Sequence, residues 1–169
     1  MKIVILPGNH IINRKWVNSI DGPLKKRFEK VSVLHYAHWG EKEVLVNLEK
    51  EINNIPNDEV ILAKSVGTIL ALKAVYEKKI SPLKCIFIGT PIDWAEKNNM
   101  DPKKYLDNFV VPTLFIQNSK DPTCTSNDLK ELLMKKNVKN YSLYEFEEES
   151  HDYENFDKIV TLIGEFVKK

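Results

Sequence analysis

The chain has 169 residues, enough for one compact domain with a substantial core and too few for two comfortable ones. Apolar residues make up 43% and charged residues 29%, which excludes a disordered or fibrous chain. The net charge is +1 and the lysine pairs are scattered rather than gathered into an arm. That excludes nucleic acid as the main partner, because phosphate neutralisation needs a concentrated basic face.

The chain opens MKIVILPG, where a short apolar run ends at Pro7-Gly8. A secretory core needs roughly 7–15 apolar residues and a membrane span about 20. The run 3–6 is therefore read as a first strand, with no membrane partner and a cytoplasmic location expected. Residues 15–29 place Trp16, Val17, Ile20, Leu24 and Phe28 at helical spacing, with an interruption expected at Gly22-Pro23. A second strand at 31–34 leads into HYAHWG. Residues 42–53 repeat Val44, Leu45, Leu48 and Ile52 and predict a second helix. The run 60–63 predicts a third strand, followed by an apolar, central helix at 66–79. A fourth strand is expected at 85–88 and a fifth at 113–116. Between them, 91–111 is a short cap-like insert with room for a helix or two, carrying Trp94, Met100, Tyr105 and Phe109. Residues 126–136 predict a helix opening with a Ser/Asn cap. The last strand, Tyr141–Phe146, alternates more and suits a sheet edge. Phe156–Lys168 predicts a docked terminal helix.

Strands and helices alternating this regularly imply right-handed βαβ units. The expected fold is α/β: a three-layer, doubly wound sandwich around a six-stranded parallel sheet, formed by one domain over residues 1–169. In such sheets function gathers at the carboxyl ends of the strands. After the third strand stands AKSVG. A strand turning sharply into a helix, with one side chain raised at the apex, forces small residues two before and two after it. Ala63 and Gly67 meet that demand around Ser65. The Val66 N–H and the helix dipole then face any oxyanion formed there. The motif alone is a weak signal, since a small-x-Ser-x-Gly pattern also arises by chance in chains of this size; the plainer alternative is that Ser65 merely caps the helix.

A serine nucleophile needs a base. Of His10, His35, His38 and His151, the last follows the final strand in ESHDY and can fold back over the sheet end. Asp121, in the rigid turn KDPT after the fifth strand, is the expected carboxylate that fixes its tautomer. Asp93 is the competitor, and Asp152 is set aside because neighbouring side chains seldom align. The two cysteines have no metal spacing, and Cys85 reads as a small core residue. No metal and no cofactor are expected.

The order Ser65, Asp121, His151 resembles that of the α/β-hydrolase superfamily. The likeness extends over nearly the whole chain and is greatest to its small, nearly lidless branch, which includes retinoblastoma-binding protein 9 and short bacterial relatives. Pro7-Gly8-Asn9 and Trp16 carry the resemblance at the start; Ala63, where the general pattern has glycine, departs from it. The resemblance implies the strand order 2-1-3-4-5-6, and a second oxyanion donor at the backbone N–H of Asn9, with Gly8 less favoured. The short 91–111 insert implies an open, shallow site suited to small or flexible acyl groups, with little selectivity.

The expected activity is hydrolysis of a small acyl ester, or a related thioester or amide, through an acyl-enzyme on Ser65. His10, Lys64 and Trp94 are candidate substrate-binding residues. Lys64 would draw anions to the mouth, although a solvated lysine is the plainer reading. The expected partner is a small acyl substrate, and no protein partner is indicated. The alternative is a catalytically silent hydrolase-fold protein acting as an interaction module.

Overall fold

The computed structural model describes residues 1–39, 44–56 and 60–169. Six strands, β1 (Lys2–Leu6), β2 (Lys30–Val33), β3 (Val60–Lys64), β4 (Lys84–Ile88), β5 (Thr113–Asn118) and β6 (Tyr141–Phe146), form one sheet in the order β2-β1-β3-β4-β5-β6. Every neighbouring pair is parallel, and β3 lies near the centre with Leu62 opposite Ile5 and Ile86. The chain has the α/β-hydrolase fold in a reduced form.

The central strands are apolar on both faces because both faces are covered. On one side α1 (Asn13–Lys25) and α7 (Phe156–Lys168) bury Trp16, Val17, Ile20, Ile159 and Ile163 against Ile3, Ile5, Leu62 and Ile86. On the other, α3 (Val66–Tyr76) and α6 (Ser126–Lys135) pack Ile69, Leu70, Leu129 and Leu133 over Val4, Leu6, Ile61 and Phe87. Each such fully buried side chain stabilises by about 1.5–3 kcal/mol. α3 is buried almost all round, which is why its sequence lacks a polar stripe.

Several boundaries differ from expectation. The helix expected at 42–53 is α2, confined to Leu48–Glu51 and followed by a 3-10 turn at Ile52–Asn54; residues 42 and 43 lie outside the described residues. Its start is fixed by Asn47, whose side chain accepts from Lys50 N at 3.1 Å. Ahead of it, the Asn9 side chain donates to Val44 O at 3.1 Å and accepts from Val46 N at 2.7 Å. These bonds take up the backbone groups a helix would have used. α1 is not interrupted at Gly22-Pro23 but runs through to Lys25. Near a helix end a proline forfeits one hydrogen bond without stopping the chain. α3 ends at Tyr76, short of 79. α6 is capped by Thr125, whose hydroxyl accepts from Asp128 N at 3.1 Å, rather than by Ser126 or Asn127.

The segment between β4 and β5 holds α4 (Ile92–Lys97) and α5 (Pro102–Tyr105). Leu106 and Phe109 are buried, Phe109 rests on Phe87, and Tyr105 packs on Tyr76 of α3. The segment is thus laid on the body, with only its first residues reaching the carboxyl end of the sheet. No helix among the described residues is long and apolar enough to cross a membrane.

Candidate active site

β3 ends at Lys64 and α3 begins at Val66, so Ser65 alone makes the turn. Its φ is 54° and ψ −128°, a conformation that costs a non-glycine residue on the order of 1–3 kcal/mol. Two backbone bonds hold it there: Ser65 N donates to Ile88 O at 2.9 Å and Thr68 N donates to Ser65 O at 2.8 Å. Gly67 is required by contact. A Cβ on it would lie 2.1 Å from Leu6 O, so any side chain would push α3 off β1. The Val66 N–H, first in α3, has no acceptor within the helix.

The structure brings Ser65, His151 and Asp121 together. His151 Nε2 is 2.9 Å from Ser65 Oγ, and His151 Nδ1 is 2.7 Å from Asp121 Oδ2. In the tautomer that donates from Nδ1 to the carboxylate, Nε2 accepts the serine hydroxyl. The Asp121 side chain has no exposed surface, yet both its oxygens are satisfied. Oδ1 accepts from Thr123 N at 2.8 Å and Thr123 Oγ1 at 2.7 Å, and Oδ2 also accepts from Tyr153 OH at 2.7 Å. Burial opposes its ionisation, but the His151 hydrogen bond and charge, with the Thr123 and Tyr153 donors, outweigh burial and hold the carboxyl below its usual value. No bond joins Asp93 or Asp152 to the imidazole among the described residues. Asp93 is exposed on α4, and Asp152 is exposed at the rim.

Tyr153 and Thr123 carry no motif in the sequence. Tyr153 is buried with φ 58°. Its hydroxyl donates to Asp121 and accepts from Asn118 N at 2.9 Å, and burial drives its ionisation well above the usual range. Room for it exists because residue 89 is a glycine at φ 59°: a Cβ there would sit 2.4 Å from the Tyr153 ring and 3.1 Å from His151 Cε1. The available signal was the pair Gly89 and Tyr153 in the loops after β4 and β6, which has no meaning until those loops are known to touch.

Asn9, His10, Trp94, Thr123, Ser65 and His151 line one cavity of about 240 Å³. Asn9 O accepts from Trp39 Nε1 at 3.1 Å and pairs with His38 Nε2 at 2.9 Å, while Tyr36 OH donates to Pro7 O at 2.8 Å. Tyr36, His38 and Trp39 thus fix the backbone of the first loop, and His38 is buried in that duty. His35 is exposed. Trp94 is half-buried and His10 exposed at the rim. Lys64 is not solvated as the plainer reading expected: it is 6% exposed. β3 is covered on both faces, so a side chain at its end has only the space between loops. Burial lowers its pKa to about 8, with Asp152, Asp121 and Glu154 opposing that shift.

A central parallel sheet with a serine raised at a strand–helix turn defines the α/β-hydrolase class of fold. No family model matches the sequence and no curated protein matches it. Solved structures do. The esterase Pf2001 of Pyrococcus furiosus is 14% identical with a TM-score of 0.78, over 99% of this chain and 82% of that one. Est1E of Butyrivibrio proteoclasticus, solved with ferulic acid bound, is 14% identical with a TM-score of 0.74, over 99% and 88%. Mouse alpha/beta hydrolase domain-containing protein 10 is 12% identical with a TM-score of 0.74, over 99% and 89%. At such identities the likeness is one of fold.

Proposed function

We propose that the protein is a serine hydrolase that cleaves small acyl esters through an acyl-enzyme on Ser65. The observation that carries this reading is the continuous relay from Ser65 Oγ through His151 to Asp121, with spacings of 2.9 and 2.7 Å. His151 takes the serine proton as Oγ attacks the carbonyl. Asp121 stabilises the imidazolium and keeps Nε2 turned to the serine. The backbone N–H groups of Val66 and Asn9 hold the oxyanion, each worth about 3–4 kcal/mol in the transition state. The imidazolium then protonates the leaving alcohol. A water, deprotonated by the same imidazole, attacks the acyl-serine and releases the acid.

A cavity of about 240 Å³ is at the small end for ligand sites and favours short acyl groups. His10 and Trp94, which both line the cavity, are the proposed substrate contacts. The esterase Pf2001 among the structural neighbours supports an ester as substrate, with thioesters and amides as related candidates.

A fluorophosphonate probe tests the nucleophile. The wild type is expected to label and Ser65→Ala to remain unlabelled. A folded wild type that does not label would favour a silent interaction module. A panel of p-nitrophenyl esters, acyl thioesters and aminoacyl anilides then separates the substrate classes.

A further inference from the structure

Position 64 is buried at the end of a central strand, where an aliphatic side chain would cost nothing in desolvation, yet it is lysine. Its ammonium donates to Asn13 Oδ1 at 3.3 Å and to the backbone oxygen of His151 at 3.4 Å. Asn13, 9% exposed at the start of α1, donates in turn from Nδ2 to His10 O at 3.0 Å. Asn13 fits there because residue 8 is glycine: a Cβ on Gly8 would lie 2.6 Å from Asn13 Nδ2 and Oδ1. A second link runs parallel, from Trp16 Nε1 of α1 to Tyr153 O at 2.9 Å, and the Lys64 ammonium lies 5.7 Å from the Trp16 ring centroid.

We propose that Lys64 and Asn13 form a buried polar brace that locks the His151 loop to the first loop and so are positioning residues for the reaction at Ser65. The inference rests on the serine-hydrolase reading above. Asp121 fixes the plane of the imidazole; the brace fixes the backbone that carries it. Because Lys64 precedes Ser65 in the chain, one side chain sets the spacing between nucleophile and base. The same bonds reach His10 O, so the loop carrying Asn9 is held by the brace on one side and by His38 and Trp39 on the other. Lys64 is poorly placed as an anion receptor. Two of its three protons are engaged by the brace, and Asp152, Asp121 and Glu154 already supply negative charge that favours its protonated form. Buried charges are retained where hydrogen bonds compensate them, and here the compensation comes from the two elements that the chemistry must hold in register.

The test compares Lys64→Met, Asn13→Leu and the double variant. Lys64→Met is expected to lower kcat on the preferred ester roughly 10- to 100-fold, the scale of an ångström-sized misplacement, with little change in KM. Its unfolding midpoint should stay at or above that of wild type, since an apolar replacement of a buried charge is often stabilising. The double variant should be within about twofold of the worse single variant, because coupled sites are not additive. Hydrogen exchange across 146–155 should quicken in Lys64→Met while the sheet stays protected. An unchanged kcat, unchanged exchange in that loop, or a loss of protection throughout the molecule would each overturn the brace. Should Asn13→Leu not fold, Lys64→Met alone decides. If wild type neither labels nor turns over, the hydrolase reading falls, and the exchange measurement still reads the brace.

Discussion

At the scale of single residues, the site depends on which carboxylate serves His151. Asp121 holds four hydrogen bonds, from His151 Nδ1, Tyr153 OH and the N–H and hydroxyl of Thr123. Asp93 is exposed. Asp121→Asn presents an amide that donates where an acceptor is needed and favours the wrong imidazole tautomer. Ester hydrolysis should fall by roughly 10⁴-fold, as in the analogous change in a serine protease, while Asp93→Asn stays near wild type. Initial rates of the two variants check this, and the reverse ranking would transfer the role to Asp93. The residue types and chain order of the candidate site were legible because apex serines, turn aspartates and loop histidines follow strands directly. Tyr153 and Thr123 were not, because a hydroxyl that satisfies a buried carboxylate oxygen has no motif. Lys64 was misjudged for a related reason: a lysine beside a loop reads as solvated unless one knows that two other loops close over it.

At the scale of elements, the turn at Ser65 is a steric arrangement between α3 and β1. Gly67→Ala places a methyl 2.1 Å from the Leu6 carbonyl oxygen. Backbone cannot yield as a flexible side chain can, so α3 must move away from β1. We expect a loss of about 3 kcal/mol, the upper end for overpacking, read by urea unfolding, together with loss of fluorophosphonate labelling. A variant as stable and reactive as wild type would show that the elbow tolerates a side chain there. Elements were most legible where one force dominated. β3 and β4, buried on both faces, were found to within two residues at each end. The helix expected at 42–53 was misread because its spacing of Val44, Leu45 and Leu48 is helical while Asn9 engages Val44 O and Val46 N. A tertiary hydrogen bond thus overrode a local preference.

At the scale of the whole molecule, the buried lysine gives stability a distinctive pH dependence. Folded Lys64 titrates at about 8, against 10.5 for a free lysine, with burial as the main cause and Asp152, Asp121 and Glu154 acting against it. Between those values the unfolded chain keeps a proton that the folded chain has released, so this group's contribution to stability rises with pH. Below pH 8 both states are protonated and the gain is absent. From pH 8 to pH 10 the wild type should gain about 2 kcal/mol relative to Lys64→Met, measured by denaturant unfolding of both proteins at each pH. Parallel curves would mean that Lys64 titrates as an ordinary surface lysine. The sequence by itself determined the alternation of strands and helices and hence a parallel sheet, because apolar periodicity is a local property of the chain. It also showed a small-residue turn at Ser65, because steric crowding at an apex constrains near neighbours. Only the tertiary structure decided that residues 65, 121 and 151 meet, that Tyr153 completes the carboxylate's shell and that Lys64 is buried. Those facts depend on loops far apart in the chain arriving at one end of the sheet, and the distance between such loops is set by packing, which no local pattern encodes.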